Sequence, residues 1–368
     1  MNLLESELHY PLGDRLPGVG ETVEVAPGVR WIRMALPFAL DHINLWLLRD
    51  RIDGREGWTV VDCCISRPES RAQWEQIFAT QLQGLPILRV IVTHMHPDHI
   101  GLADWLCRKW DAPLWISATD YHVARVLVQA GDTLAGGESA ADFFAAHGLP
   151  EGEMLSTIRQ RTSYFTTLVP AVPERFVRLM DGHPVRIGGR DWRCISGYGH
   201  APEHIALFCE DLGWTLGERS GRGVLLGGDM MLPRISTNVS VHAGEPDANS
   251  LQLFLDSLLR FLSLPEDTLG LPAHGKPFLG IHRRVGQLQE HHQERLAELL
   301  AACAERPMSA VEALPILFKR ALDVHQMTFA MGETVAHLHY LWYAGQVQRQ
   351  RDAQGVWRFS TAPTPTAV

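Results

Sequence analysis

The chain has 368 residues, of which 46% are hydrophobic and 20% charged, and its mean hydropathy is -0.06. This length exceeds the usual size of one domain, so we expect one large domain with a smaller one appended. The composition is that of a globular protein and argues against a disordered or fibrous chain. The net charge of -9 disfavours extended nucleic-acid binding, because phosphate contacts need clustered lysine and arginine.

The N-terminal segment lacks the basic start and the apolar run of a secretion signal. No window reaches about 18 uninterrupted apolar residues, the length at which a membrane span is suspected. The six cysteines form no CxxC pair and no disulfide-like spacing. We therefore expect a cytoplasmic protein with reduced thiols and no membrane partner.

The first third of the chain predicts strands that are followed by alternating strands and helices. Apolar runs separated by Pro-Gly and Asp-Gly turn signals predict successive antiparallel strands over residues 21–63. A helix is predicted from about Glu69 to Gln83, and the short apolar strand 87–93 follows it. Helical spacing over 99–110 and a short strand over 113–116 continue the alternation. This pattern predicts an α/β domain.

The middle of the chain changes character twice. Residues 119–179 have helical patterns separated by glycine and proline breaks, and we interpret them as a helical insertion. Four strand-like runs with glycine turns follow between residues 184 and 229. From about residue 247 the pattern is helical, except for the strand-like run TLGLPAH. The aromatic residues of the insertion could line a substrate pocket or pack in a core; they are Tyr121, Phe143, Phe144, Tyr164 and Phe165.

The last segment predicts a separate small unit. A long helix is predicted near 283–305, and residues 308–360 resemble a helical unit that ends in a hairpin turning at Asp352–Gly355. We therefore predict two domains, 1–280 and 281–368.

The densest motif is Thr-His-Met-His-Pro-Asp-His at residues 93–99, directly after an apolar strand and before a helix start. Imidazole and carboxylate groups bind borderline cations, and a loop at a strand end can aim alternate side chains at one point. Four potential ligands therefore fall within six residues, namely His94, His96, Asp98 and His99. Three further candidates follow later strand-like runs: His200, Asp229 and His274.

This order, HxHxDH and then His, Asp and His at long spacings, resembles the metallo-β-lactamase superfamily, and in particular its glyoxalase II-like hydrolases. The resemblance covers roughly residues 22–280. It implies an α/β fold, a four-layer αβ/βα sandwich in which two mixed sheets pack face to face with helices outside. It also implies a centre of two divalent metal ions at one edge of the sandwich.

The resemblance assigns the ligands to the two ions as follows. The first ion is held by His94, His96 and His200. The second ion is held by Asp98, His99 and His274, and Asp229 bridges both ions. We expect zinc, with iron or manganese as alternatives, because the seven ligands are imidazoles and carboxylates and none is a thiolate.

Neighbouring residues carry further expectations from the resemblance. His204, four residues after His200, either orients the site or coordinates an ion. Asp62 matches a buried aspartate that accepts an N–H bond from a ligand histidine. Tyr198 stands where many relatives have Thr-Pro before the Gly-His pair, and it either donates to an oxyanion or packs. Our candidate catalytic residues are Asp98, His204 and Tyr198.

These residues favour hydrolysis by metal-activated hydroxide, and no GxSxG motif suggests a serine nucleophile. A thiolate leaves without prior protonation because the pKa of its thiol is about 8.5, so a thioester or related ester of a small acyl group is the preferred substrate. The alternatives are phosphodiester or RNA cleavage, lactone hydrolysis, and a non-catalytic metal-binding regulator.

The last segment, which contains GETVAHLHYLWYAGQVQRQ, resembles the winged-helix-like C-terminal domain of β-lactamase-like protein 2 relatives. That group includes thioesterases and nucleases, and a simple packing module is the alternative interpretation. Arg349, Arg351 and Arg358 are the only local basic candidates for RNA, and a solvated hairpin is the preferred explanation for them. Nucleic acid is therefore not an expected partner, and a homodimer is left open.

Overall fold

The structure is a computed structural model that describes residues 3–130 and 136–362. Within these ranges the chain forms two compact units. The described residues of the first unit come from Met1–Ala130, Phe165–Thr237 and Ser257–Gly286. Those of the second unit come from Gly131–Tyr164, Asn238–Asp256 and Gln287–Val368. The predicted division at residue 280 stays a prediction.

Seven strands of the first unit form a mixed sheet in the order β1 to β7. They are β1 (Val23–Ala26), β2 (Val29–Ala35), β3 (His42–Ile52), β4 (Arg55–Val61), β5 (Ile87–Ile91), β6 (Leu114–Ser117) and β7 (Phe176–Leu179). Strands β1 to β4 pair antiparallel, which confirms the prediction for this region. Strands β4 to β7 pair in parallel, and helices lie in the connections that parallel pairing requires.

Five strands form the second sheet, in the order β12, β11, β10, β9, β8. They are β8 (Pro184–Ile187), β9 (Arg190–Gly197), β10 (His204–Leu216), β11 (Arg219–Gly228) and β12 (Leu269–Pro272). Strands β8 to β11 pair antiparallel, and β12 joins β11 in parallel. The parallel pair brings the carboxyl ends of β11 and β12 to the same edge of the sheet.

One apolar core lies between the two sheets. Trp31 and Trp46 enter it from the seven-stranded sheet, and their stacked rings lie 6.4 Å apart between centroids. Trp192 and Trp214 enter the same core from the five-stranded sheet. Alternate residues of each strand supply these side chains, as expected for sheets that pack face to face. This arrangement confirms the predicted α/β sandwich.

The helices are α1 (Pro68–Thr80), α2 (Pro97–Ile100), α3 (Ala103–Trp110), α4 (Ala118–Ala130), α5 (Glu138–Ala146), α6 (Glu153–Gln160), α7 (Tyr164–Leu168), α8 (Ser250–Leu259), α9 (Ile281–Glu305), α10 (Ala310–Leu317) and α11 (Val324–Tyr343). Short 3₁₀ helices span Leu3–Glu7 and Arg260–Ser263. The helix predicted at 69–83 is α1, which starts at a proline and buries Trp74 and Ile77. None of the described helices is both long and apolar enough to cross a bilayer.

The predicted insertion forms α4 to α7, but its last residues pair with β6 as the edge strand β7 rather than continuing as a helix. Its aromatic residues are mostly interior. Tyr121 stacks on Phe176 with ring centroids 3.9 Å apart, and its hydroxyl donates to the carbonyl of Glu174. The other buried aromatic residues of this region are Phe143, Phe144 and Phe165. These four side chains are therefore buried rather than exposed.

The second unit contains α5, α6, α10, α11 and a hairpin of β13 (Val347–Arg351) and β14 (Trp357–Thr361). A capping box starts α10, where Ser309 accepts from the N–H of Glu312 and Glu312 accepts from the N–H of Ser309. The hairpin turns at Asp352–Gly355, as predicted, because Gly355 adopts a φ of 82°.

Candidate metal centre

The predicted ligands all lie just beyond strand ends. The 93–99 motif follows β5, His200 follows β9, Asp229 follows β11 and His274 follows β12. Loops at the carboxyl ends of strands are the usual place for a ligand in an α/β fold. The sandwich therefore brings all seven residues together at one edge, although the first and the last, His94 and His274, lie 180 residues apart in the sequence.

The first group consists of three imidazoles. His94 Nε2 lies 2.9 Å from His96 Nδ1, and His96 Nδ1 lies 3.1 Å from His200 Nε2. The third side of the triangle, from His200 Nε2 to His94 Nε2, measures 3.2 Å. Three ring nitrogens that face one another this closely could hold one cation.

The second group combines a carboxylate with two imidazoles. Asp98 Oδ2 lies 3.4 Å from His274 Nε2 and 3.7 Å from His99 Nε2. Asp229 lies between the groups: its Oδ1 is 3.4 Å from both His99 Nε2 and His274 Nε2, and its Oδ2 is 3.3 Å from His200 Nε2. One carboxylate thus presents one oxygen to each group.

Unsatisfied buried atoms support a metal at this place. His99 Nε2, His274 Nε2 and Asp229 Oδ1 are buried and, among the described residues, form no hydrogen bond of good geometry. Leaving such atoms without a partner costs free energy, so buried polar atoms normally have one. A cation between them would satisfy all three. The donors present therefore fit a metal ion.

The charges of the two groups differ. Burial, followed by neighbouring imidazoles, holds the pKa of His94 and of His96 well below the usual value, so both rings are neutral, as metal ligands must be. Burial alone would lower the pKa of His274 too, but the carboxylates of Asp229 and Asp98 raise it to about 10. The pKa of His99 is also held well above its usual value, against burial, by nearby carboxylates. The second group therefore attracts positive charge.

This difference predicts the pH dependence of the metal-free protein. Protonated His99 and His274 stabilise the fold below the unfolded pKa of about 6.5, and that contribution is lost as the pH rises through the raised pKa of each ring, which for His274 is about 10. We expect the free energy of unfolding of metal-free protein to fall between about pH 7 and about pH 8, a range in which exposed thiols remain mostly protonated. Denaturant titrations at several pH values measure this slope.

A His274→Gln variant is the control for that measurement, because it removes one of the two raised groups. Its slope over the same pH range should be shallower than that of the wild type. An identical slope in both proteins would show that other groups cause the dependence.

Asp62 holds the 93–99 motif by hydrogen bonds. Its Oδ2 accepts from His99 Nδ1 at 2.8 Å, and its Oδ1 accepts from the backbone N–H of Thr93 at 2.8 Å. The hydroxyl of Thr93 also contacts the same carboxylate. This confirms the expected hydrogen bond from a histidine of the motif to Asp62, and the bond directs His99 Nε2 toward the two groups of candidate ligands.

His204 lies beside the site but outside both ligand groups. Its Nε2 accepts from the backbone N–H of Asp229 at 3.1 Å, so this nitrogen is already engaged in holding Asp229. Burial lowers the pKa of His204 to about 3, so the ring is neutral.

Tyr198 has 36% of its surface exposed, and its backbone N–H donates to Ser257 Oγ at 2.9 Å. The catalytic roles of Asp98, His204 and Tyr198 stay predictions.

Two residues at the start of β3 hold the His274 loop, and the sequence reasoning missed both. The carbonyl of His42 accepts from His274 Nδ1 at 2.6 Å, and His42 Nε2 accepts from the N–H of Gly275 at 2.7 Å. Asn44 Nδ2 donates to the carbonyl of Pro272 at 2.9 Å. The sequence did carry a signal for Asn44. This polar residue lies inside the apolar run HINLWLL, and a buried amide needs hydrogen-bond partners.

Two protein-family models match the chain. The one described as the Metallo-beta-lactamase superfamily matches residues 39–274, which include all seven predicted ligands. The one described as the Metallo-beta-lactamase-like, C-terminal domain matches residues 296–362.

The similarity to known proteins extends over most of the chain. A crystal structure of a beta-lactamase domain protein from Burkholderia ambifaria is 52% identical with a TM-score of 0.89, covering 98% of this chain and 100% of that one. A metallo-beta-lactamase family protein from Thermus thermophilus is 28% identical with a TM-score of 0.71, covering 91% and 99%. The probable metallo-hydrolase YqjP of Bacillus subtilis is 25% identical over 321 residues, which are 84% of this chain and 91% of that protein. The glyoxalase II-like subtype and the winged-helix-like end stay predictions.

Proposed function

The chain belongs to the metallo-β-lactamase superfamily, and from this membership we propose that it hydrolyses a thioester or a related carboxylic ester of a small acyl conjugate. The coarser assignment is that of a metal-dependent hydrolase. The observation that carries the proposed metal-dependent hydrolysis is the position of Asp229, whose two oxygens face two separate ligand groups. Such a carboxylate suits a centre of two ions.

The candidate ligands fall into two sets, which are the two groups that the distances define. His94, His96 and His200 would hold one ion, Asp98, His99 and His274 the other, and Asp229 would contact both. We propose zinc, with iron or manganese as alternatives, because imidazole and carboxylate donors suit all three. When bound, two such ions lower the pKa of a shared water and polarise an electrophilic oxygen.

The preference for a thioester rests on the leaving group. Two titratable side chains beside the ligand groups already hold the site together: Asp62 accepts from His99, and Nε2 of His204 accepts from the N–H of Asp229. Neither is placed to protonate a departing alkoxide. A thiolate needs no such proton, because the pKa of its thiol is about 8.5. Tyr198, partly exposed beside His200, is our candidate donor to the substrate oxyanion.

The basic residues that are candidates for RNA contacts are engaged within the second unit. Arg349 is 10% exposed, donates to Asp247 Oδ1 at 2.8 Å and lies over the rings of Trp342 and Trp357. Arg358 pairs with Glu312 and Asp352, and Arg351 also stacks on Trp357. Arg349 and Arg358 are thus paired with carboxylates, which weakens this segment as a site for phosphates and favours the ester over RNA as substrate.

A substrate panel tests the proposal. Acyl-CoA and acyl-glutathione thioesters, lactones and single-stranded RNA are incubated with the protein before and after exhaustive treatment with a chelator. We expect thioester turnover that is lost on chelation and restored by adding zinc, because the ions supply the nucleophile.

Other results separate the alternatives. Cleavage of RNA alone, or of lactones alone, contradicts the thioester assignment but keeps the hydrolase class. Full activity after complete metal removal contradicts the proposed mechanism. Tight metal binding with no turnover of any substrate favours a non-catalytic regulator.

A further inference from the structure

Asp120 is a buried carboxylate beside the metal centre that the ligand set does not include. It lies in the first turn of α4 and has no exposed surface (0%). Its Oδ1 accepts from the backbone N–H of Met95 at 2.8 Å, and its Oδ2 accepts from the backbone N–H of Glu203 at 2.6 Å. One side chain therefore holds two backbone segments at once.

The two segments are the loops that carry the first ligand group. Met95 stands between His94 and His96, and Glu203 follows His200 by three residues. The bonds to Asp120 connect positions 25 and 83 residues away in the chain. Because a buried, ionised carboxylate forms strong hydrogen bonds to backbone N–H groups, it fixes the spacing of the two loops.

Helix capping is the competing explanation, since Ser117 and Asp120 have the spacing of a capping box. Ser117 Oγ does accept from the N–H of Asp120, at 3.2 Å, and donates to its Oδ2, also at 3.2 Å. The two shorter contacts of the carboxylate, however, both leave the helix. Ser117 thus contributes the local cap, while Asp120 reaches the loops.

We propose that Asp120 is a positioning residue for the first ligand group: it holds the His94–His96 loop and the His200 loop in register before an ion binds. The inference rests on the proposed function, since it presupposes that the group takes a metal ion. It concerns His94, His96 and His200 and leaves the group of Asp98, His99 and His274 unaffected, because Asp62 and His42 hold those imidazoles instead.

The test replaces Asp120 with asparagine, which keeps the size but turns an amide N–H₂ toward one of the two N–H donors. Protein loaded with zinc is dialysed against chelator at graded free zinc concentrations, and bound zinc is counted. We expect one of the two ions to bind about 10- to 100-fold more weakly, the usual effect of losing a residue that orients metal ligands. The affinity for the other ion should stay at the wild-type value.

Two control variants separate positioning from stability. Asp50→Asn alters another buried carboxylate, which accepts from the N–H of Gly188 at 2.9 Å and pairs with Arg89 away from the ligands. It should lower the unfolding temperature but retain both ions at wild-type affinity. Ser117→Ala removes the local cap and should also retain both.

The outcomes are distinguishable. If the wild type binds no zinc, the proposed function fails. If it binds two ions and Asp120→Asn either keeps both at full affinity or weakens both equally, the inference fails. Should the variant not fold, hydrogen exchange of metal-free wild type decides: slow exchange at the amides of Met95 and Glu203 supports the inference, and free exchange at both overturns it.

Discussion

Replacing Asp229 with alanine is expected to lower hydrolysis by about 10³-fold or more and to reduce the bound metal below two ions per chain. The carboxylate faces both ligand groups, with its oxygens 3.3 to 3.4 Å from His200, His99 and His274. Its loss would leave each ion with one candidate ligand fewer and would remove the negative charge between the two ligand groups. Steady-state kinetics and metal analysis of the purified variant measure both effects.

Asp211→Ala is the matched control for that variant. Asp211 is an exposed carboxylate that pairs with Arg222 and takes no part in the ligand groups. It should leave turnover and metal content unchanged, because exposed ion pairs contribute little. If Asp229→Ala retained two ions and wild-type turnover, the assignment of Asp229 as the shared ligand would be wrong.

The second large effect is expected for Gly228→Ala, in the residue before Asp229. Gly228 has a φ of +51°, and a Cβ placed on it would lie 2.1 Å from His204 Nε2, the atom that accepts from the N–H of Asp229. The left-handed backbone costs an alanine about 1 kcal/mol, and forcing His204 aside costs about 1–3 kcal/mol. We expect a loss of about 3 kcal/mol in the free energy of unfolding, measured by denaturant titration, together with weaker metal binding.

Gly13→Ala isolates the backbone contribution. Gly13 has a similar φ of +54°, but a Cβ on it would meet no atom within 4 Å. Its alanine variant should lose only about 1 kcal/mol and keep its metal. Equal losses in the two variants would mean that His204 gives way without cost, and that the close approach at Gly228 does not hold Asp229.

The fold was predictable where the pattern is local. The antiparallel run of β1 to β4 follows from apolar stretches separated by turn signals, and the hairpin at Asp352–Gly355 follows from its turn residues. The His94–His99 motif was recognisable because four donors occupy six positions after a strand. Its three distant partners became convincing only through their order.

The remaining features depend on partners far away in the sequence. Asp120 has the spacing of an ordinary helix cap, and its contacts with two loops arise only when α4 packs beside them. His42 is likewise one polar residue at a strand start until the His274 loop, 232 residues later, lies against it. The strand β7 was missed because a short edge strand with exposed residues carries little apolar periodicity.

The ligands also join the two sheets. His96 follows β5 of the seven-stranded sheet, whereas His200 follows β9 of the five-stranded sheet, 104 residues later. An ion shared by them would close a long loop of the unfolded chain, so binding and unfolding are thermodynamically linked. A cell short of the metal would therefore lose more than turnover: the unloaded chain would unfold more often and meet proteases sooner, and the abundance of the protein would follow the metal supply.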